Sequence, residues 1–356
     1  MSSLRAKRSN PARKQNLVPQ ISFLKRCFRA GLLRFARNDD IVSSTVCSDT
    51  SAYAGTITAT THRIVTKTQT IPWHLTENLL FYVPFIELFD EIMRDPILNI
   101  AINAARSAGN IIIRASDRLD TVTVAQKRPN DYVTDIDTKA EQEIINIIRK
   151  AHPTHGILGE ESGETLGKND DYVWIIDPID GTRNFIHGYP QFAVSIGISY
   201  KGKIEHGVIY DPVRQELFTA SRGKGARLND KRIRVSKRTE LEDCLLATGF
   251  TQRGSKELLA EHLRALEVMI PLCGDIRRPG AATLDLAYVA CGRLDGFWEL
   301  GLKIWDIAAG TLLIKEAGGL VCDPDGGEDY LNSGNVVVAN PKILKLLLKN
   351  IRPFLG

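Results

Sequence analysis

Residues 174–185 read WIIDPIDGTRNF. The apolar run Trp174-Ile175-Ile176 predicts a buried strand. Two acids, Asp177 and Asp180, follow it around Pro178, and Gly181-Thr182 comes next. Pro178 fixes its own φ and removes a backbone donor. Gly181 lets the backbone come close to a ligand. A strand ending in DPIDGT thus delivers two carboxylates and then exposed N–H groups to one spot. With a helix beginning near Thr182, those N–H groups and the helix dipole favour a phosphate.

Working outward, three more acids stand at telling positions. Glu160 and Glu161 follow the apolar Ile157-Leu158. Asp306 follows Trp305 at the start of the apolar helix IWDIAAGTLLIKEAGG. Asp137 lies in DYVTDIDTKAE, again at a predicted helix start. Singly, each has an ordinary explanation: a solvated turn for the glutamates, a helix cap for the aspartates. Together they ask for a cation, because gathered carboxylates repel unless a positive charge joins them. Hard oxygen donors suit magnesium. A two- or three-ion cluster is the physical reason to assemble Glu160, Asp177, Asp180 and Asp306. Two such ions about 3.5–4 Å apart can activate a water and stabilise a departing alkoxide. Asp137 then acquires a second reading, orienting Thr182 so that its hydroxyl accepts a proton from that water.

The rest of the chain supplies a layered frame. Ile97, Ile100, Ala101, Ala104 and Ala108 mark one face of a helix running on through Ile111–Ile113. Further helices are predicted over Thr138–Lys150, Lys256–Met269, Ala281–Cys291, Ile304–Glu316 and from Asn340-Pro341 to about Ile351. Strands are predicted over Tyr172–Ile176, Phe192–Tyr200, Lys203–Tyr210, Glu216–Ala220 and Asp295–Glu299. Alternation without a repeat means a layered α/β or α+β architecture.

Residues 1–92 are a different kind of sequence. Ten Lys/Arg and no acid occur up to Asn38, residues 41–71 are rich in Ser and Thr, and no element is assigned before Trp73. The formal charge of +4 comes from this segment, which carries 12 basic and 7 acidic residues, leaving 34 basic and 35 acidic in 93–356. The latter region therefore has no bulk electrostatic attraction for nucleic acid. An organelle transit peptide, a basic arm and a stretch preceding the true start are the three readings of 1–92. The last ranks first, because Met93 opens MRDPILNIAINAARSAGN, with a Pro near a helix N-terminus. The expected domains are thus an extension, 1–92, and a catalytic domain, 93–356. The densest apolar run, Leu79–Phe89, contains Pro84 and Glu87 and is too short to cross a bilayer, which takes about 20 residues. Six cysteines without CxxC or Cys/His spacing suggest buried thiols in a reducing compartment, so the expected location is the cytoplasm.

Four stretches in order, DYVTDID (Asp131–Asp137), GEES (Gly159–Ser162), WIIDPIDGTRNF and WDIAAG (Trp305–Gly310), make the chain resemble the inositol monophosphatase family, in its bacterial SuhB-like branch. The resemblance covers Met93 to about Leu355. It implies an αβαβα sandwich of the sugar-phosphatase type and a magnesium-dependent phosphomonoesterase hydrolysing myo-inositol 1-phosphate by metal-activated water. One magnesium would be held by Glu160, Asp177 and the Ile179 carbonyl, and a second by Asp177, Asp180 and Asp306. A third, weaker site would use Glu160. Thr182 and Asp137 would be catalytic, and the Gly181 and Thr182 N–H groups would take the phosphate. Asp180, Gly280, Ala282 and Glu299 would line the alcohol subsite, and Lys127 matches a family lysine near the metals. The plainer reading of Glu299 is an exposed acid at a strand end. Lithium is expected to inhibit, and a homodimer is expected.

Two alternatives stay open. One keeps the site and changes the substrate to fructose 1,6-bisphosphate, NADP, 3′-phosphoadenosine 5′-phosphate or histidinol phosphate. The other is a ribosomal-RNA transcription antitermination and RNA-processing factor that binds NusA, with Arg277, Arg278 and the basic cluster Lys231–Arg238 as contacts or as ordinary surface charge.

Overall fold

The computed structural model describes residues 33–38, 41–46 and 95–356, the last with short gaps at 129–130, 166, 168 and 251–255. The chain divides into two compact units, Met1–Leu88 and Phe89–Gly356. In the first, β1 (Leu33–Asn38) and β2 (Ile41–Val46) form an antiparallel hairpin closed by the pair Asn38↔Ile41. The sequence reading placed no element there. The missed signal is the β-branched content of Ile41, Val42, Thr45 and Val46 immediately after an Asn-Asp-Asp turn sequence. The rest of the basic leader, the run Leu79–Phe89 and Met93 lie outside the described residues.

The second unit is a five-layer sandwich. Its outer helices α1 (Pro96–Ser116) and α2 (Asp135–Ala151) pack on an eight-stranded sheet. That sheet contains β5 (His155–Gly159), β6 (Gly163–Thr165), β7 (Asn169–Asp180), β8 (Ala193–Tyr200), β9 (Lys203–Asp211), β10 (Glu216–Ser221), β11 (Gly225–Leu228) and β12 (Lys231–Arg232). Their order is β12-β11-β10-β9-β8-β7-β5-β6. The hairpin β3 (Val124–Arg128) and β4 (Asp131–Thr134) connects α1 to α2, and the one-turn α3 (Thr182–Ile186) follows β7. The second sheet contains β13 (Leu245–Thr248), β14 (Asp275–Arg277), β15 (Gly296–Glu299), β16 (Leu320–Cys322) and β17 (Val336–Ala339), in the order β14-β13-β15-β17-β16. Helix α4 (Lys256–Met269) precedes β14, α5 (Ala282–Ala290) and α6 (Ile304–Glu316) flank β15, and α7 (Tyr330–Ser333) and α8 (Pro341–Leu355) flank β17. Helices α5 and α6 fill the layer between the sheets, and α4 and α8 cover the far face of the second one.

The layers follow from period-2 alternation. Along β7, Trp174 and Ile176 face α1 and α2 while Ile175 faces α5 and α6. Along β17, Val336 and Val338 face the central helices while Val337 and Ala339 face α4 and α8. This is the expected αβαβα sandwich.

Small residues set how close α6 comes to the large sheet. Gly197 and Gly207 are cross-strand neighbours on β8 and β9. A Cβ on Gly197 would lie 2.8 Å from Ala308 Cβ, and one on Gly207 would lie 2.8 Å from the Ala309 carbonyl oxygen. On the other side of α6, a Cβ on Gly310 would meet Leu286 of α5 at 2.6 Å. The Ala-Ala-Gly of WDIAAG is therefore a packing requirement, and it presses the start of α6, with Asp306, against the end of the sheet.

No described helix is long and apolar enough to cross a membrane. Of the cysteines described, Cys244 and Cys322 are buried and Cys273 and Cys291 half-buried, all as free thiols.

Candidate active site

The strand β7 does not stop at Ile176, as its apolar run suggested, but continues to Asp180 across an irregularity. Asp177 pairs with Ser195 and Asp180 with Ala193, so three steps on β7 match two on β8. The extra residue is a bulge at Pro178-Ile179, where a proline lacking an N–H is tolerated. In a regular strand, residues three apart point to opposite faces; one inserted residue restores the parity and brings both carboxylates to one place. The Ile179 N–H donates to Asp177 Oδ1 at 3.0 Å, fixing the carboxylate from within the bulge.

Gly181 then turns the chain in the left-handed region at φ 93°, and α3 begins at Thr182. A Cβ on Gly181 would lie 2.8 Å from the Gln191 carbonyl oxygen, so glycine is needed both for conformation and for space. Thr182 Oγ1 lies 3.0 Å from Asp137 Oδ1 and 3.0 Å from the Ile179 carbonyl oxygen. A hydroxyl has one proton, so it serves one of these acceptors at a time and keeps lone pairs for a donor.

Asp137 and Asp306 both take the capping reading, and Asp137 also meets Thr182. Asp137 Oδ2 accepts from the Thr134 N–H at 2.8 Å and from Thr134 Oγ1 at 2.5 Å, closing a capping box on α2. Its Oδ1 is the one facing Thr182. Asp306 Oδ2 accepts from the Lys303 N–H at 2.7 Å, at the third position of α6. Capping thus holds each carboxylate in a fixed orientation.

Asp180 reaches across the molecule. Its Oδ2 accepts from the Thr283 N–H at 2.7 Å and from Thr283 Oγ1 at 2.5 Å. Ala281, the local cap position of α5, provides no side-chain acceptor, so Asp180 serves as the cap from more than a hundred residues away. Sequence reasoning did not find Thr283, because nothing local marks it. It also passed over Glu141, which accepts from the Glu161 and Ser162 N–H groups at 3.0 and 2.7 Å and so shapes the turn carrying Glu160. Glu141 was detectable: it falls on the buried face of α2 with Asp137, Ala140, Ile144 and Ile148, where an acid is out of place. Asn184 was missed too; its Nδ2 donates to the Gln191, Pro279 and Gly280 carbonyls and ties the segment before α5 to α3.

Glu160 follows β5, its N–H donating to the Ile176 carbonyl at 3.1 Å. Lys127 on β3 sits between the two glutamates, Nζ at 2.6 Å from Glu161 and 3.5 Å from Glu160. Gly280, at φ 86°, and Ala282 lead into α5, and Glu299 ends β15. Glu299 is not the exposed strand-end acid of the plainer reading. It is half-buried, and its carboxylate lies against Gly249, where a Cβ would have no room.

Burial is the first cause raising Asp137, Glu160, Glu161, Asp177, Asp180 and Glu299. Glu160 is pushed to about 8, with Lys127 opposing and Asp306, Glu161 and Asp137 adding to the rise. Asp180 is pushed to about 7, with Asp306 adding and Thr283 opposing. Asp177 is driven well above the carboxylate range by burial and then by Glu160, Asp180 and Asp306. Glu299 reaches about 8 through burial, Asp306 and Asp180, against Arg278. Asp137 is raised by burial against its bonds from Thr134 and Thr182. Among the described residues, no three His, Cys, Asp or Glu side chains form a finished metal cage. The donor set nonetheless fits a hard divalent cation: Glu160, Asp177, Asp180 and Asp306 supply oxygens, and Glu160, Asp180 and Asp306 all raise the proton affinity of Asp177.

A five-layer αβαβα sandwich with this acid cluster at the end of β7 defines a phosphatase class of protein. Residues 93–354 match the inositol monophosphatase family, and the chain belongs to it. Among curated relatives, Nus factor SuhB of Pseudomonas aeruginosa is 55% identical over 263 residues, 73% of this chain and 97% of that protein. Among solved structures, the extragenic suppressor protein SuhB of Bartonella henselae superposes with a TM-score of 0.71 at 46% identity, covering 72% of this chain and 98% of that one. The inositol monophosphatase of Anabaena gives 0.62 at 36% identity, covering 72% and 96%.

Proposed function

We propose that this chain is a magnesium-dependent phosphomonoesterase acting on myo-inositol 1-phosphate or a closely similar polyol phosphate. The observation that carries this reading is the contact of Thr182 Oγ1 with Asp137 Oδ1 at the edge of the Glu160–Asp177–Asp180–Asp306 cluster. Those four acids and the Ile179 carbonyl would hold two or three magnesium ions, which when bound supply the positive charge that activates a water and stabilises the leaving oxygen. Thr182 donates its proton to Asp137 and accepts one from the attacking water through a lone pair. Asp137, held by its bonds from Thr134, keeps Thr182 in that orientation. The N–H groups of Gly181 and Thr182 receive phosphate oxygens, and Lys127 moderates the charge of Glu160. Gly280, Ala282 and Glu299 line the alcohol side. Cytoplasmic location and a homodimer complete the proposal.

The test is phosphate release from a panel: myo-inositol 1-phosphate, fructose 1,6-bisphosphate, NADP, 3′-phosphoadenosine 5′-phosphate and histidinol phosphate, with and without magnesium. Fastest turnover of the inositol ester, lost with a chelator and inhibited by lithium, is expected. Undiminished turnover in chelator would remove the metal from the account. Faster turnover of another ester would replace the substrate but keep the chemistry.

The name of the Pseudomonas relative, Nus factor, favours a second reading, a transcription role through NusA that does not need turnover. Asp177→Asn separates the two. It should abolish phosphate release, and a NusA pull-down from the same preparation should be unaffected if the second role exists.

A further inference from the structure

Helix α2 carries a second buried acid that takes no part in the chemistry above. Glu141 is 2% exposed and stands four residues after Asp137, so the two share one face of α2, a turn apart. Asp137 faces Thr182. Glu141 faces residues 160–162, the loop between β5 and β6, which the pair Gly159↔Gly163 closes. That loop has three backbone N–H groups, and each has an acceptor. Glu160 donates to the Ile176 carbonyl at 3.1 Å, Glu161 to Glu141 Oε2 at 3.0 Å and Ser162 to Glu141 Oε1 at 2.7 Å.

The residue type follows from the two converging donors. A carboxylate meets both with an acceptor oxygen, whereas a glutamine would turn its NH2 toward one of them. Space is kept for it: a Cβ on Gly159 would lie 2.6 Å from Glu141 Oε2 and 2.7 Å from Ser162 Oγ. The loop in turn carries the one acid of the cluster that lacks a donor of its own. Asp177, Asp180 and Asp306 each have a carboxylate oxygen taken by a backbone N–H, from Ile179, Thr283 and Lys303. Among the described residues no N–H is bonded to the Glu160 carboxylate. Lys127 Nζ, 3.5 Å from Glu160, sits closer to Glu161, at 2.6 Å. Glu160 is therefore aimed through its backbone, and two of the three bonds that fix that backbone end on Glu141.

We infer that Glu141 is a positioning residue that, by fixing the loop carrying Glu160, sets the affinity of the cation position Glu160 completes. This rests on the metal-dependent reading above and adds to it a residue that touches neither cation nor substrate. Groups that orient a metal ligand are worth about ten- to a hundredfold in metal affinity. The effect is confined to one position, because Asp180 and Asp306 keep their own donors when Glu141 is changed. The water-activating pair is spared as well, since Thr134 holds Asp137 toward Thr182. One face of α2 thus acts as a rigid spacer, with Asp137 serving Thr182 and Glu141, a turn later, serving Glu160.

The experiment uses the full chain with Glu141→Gln and Glu141→Leu, and with Glu143→Gln as a control on the same helix, whose carboxylate receives Ser107 Oγ instead. Calorimetric titration with magnesium alone should show binding weakened by about tenfold in the Gln variant and by more in the Leu variant, in one class of site. The magnesium concentration giving half-maximal phosphate release should rise in step, with kcat at saturating magnesium little changed. In chelator, amide exchange at Glu161 and Ser162 should quicken in both variants and not in the control. Quicker exchange with unchanged magnesium affinity would make Glu141 merely structural and overturn the inference. So would a fall in kcat that saturating magnesium does not recover. If the Leu variant does not fold, the Gln variant decides. If no ester is hydrolysed yet magnesium binds and Glu141→Gln weakens it, the inference stands while the phosphatase reading fails. Normal hydrolysis with a magnesium affinity that Glu141→Gln leaves untouched is the reverse case. A chain that binds no magnesium overturns both.

Discussion

The two halves of the site are built on opposite principles. On the phosphate side, Asp137, Asp177, Asp180 and Asp306 each have a carboxylate oxygen anchored by a backbone N–H from a capping box, a bulge or a helix start. On the proposed alcohol side, Glu299 is half-buried against Gly249 and is held by packing. Under the proposed function, the contrast sets a preorganised reacting centre, as electrostatic catalysis requires, against an alcohol side that its ligand would complete.

If that division is right, substitutions on the first side abolish turnover and those on the second redirect it. Asp177→Asn is the severest case, with kcat for phosphate release expected to fall by about a thousandfold or more, because the acid shared by the proposed metal positions is lost. Residual activity near the parent level would show that the cluster is not the reacting centre. Thr182→Ala and Asp137→Asn should each cost about a hundredfold or more in kcat with little change in KM. Their double variant should be no worse than the poorer single one, since the two act as a unit; additive losses would break the pairing. Glu299→Gln belongs to the other side. It should raise KM for the inositol ester by about tenfold and spare phenyl phosphate, and an equal fall on both would erase the distinction between the halves.

A subtler effect comes from protons. Glu160 and Glu299 stand at about 8 and Asp180 at about 7, above the ordinary carboxylate values near 4. Between roughly pH 4.5 and 8 the folded chain therefore binds more protons than the unfolded chain, so stability falls as pH rises through that window. Without divalent cations, Tm should be higher near pH 6 than near pH 8, and magnesium should narrow the difference. A Tm that climbs steadily to pH 8 in chelator would mean the acids are not packed together. The smallest effect expected is that of removing residues 1–92, which should leave kcat/KM for the inositol ester unchanged; lost activity at unchanged solubility would give the leader a part in the enzyme.

How much of this was legible beforehand depended on distance along the chain. The helices α1, α2, α4, α5, α6 and α8 show in the 3.6-residue period, and the layered class follows from their alternation with strands. The acids were visible because each stands beside an apolar run or at a helix start. What local reading could not supply was the far end of each bond. Thr283 touches Asp180 across 103 residues, and only the folded chain makes α5 the helix that Asp180 caps. The length of β7 was hidden for another reason: Pro178 argues against a strand unless a bulge is there to absorb it. Strand β5, which sets the Glu160 turn, is too short and too rich in glycine to declare itself.

The Asp180–Thr283 bond has a further consequence. One carboxylate is asked both to complete the start of α5 and, in the proposal above, to hold a cation. Whatever draws on its charge must change how firmly that helix start is held, and so the wall against which the alcohol rests. Binding at the two ends of the site is then thermodynamically coupled, and the coupling is reciprocal. A substrate that steadies α5 tightens the hold on the cation by the same factor that the cation alters the hold on the substrate, with no moving domain required to carry the message.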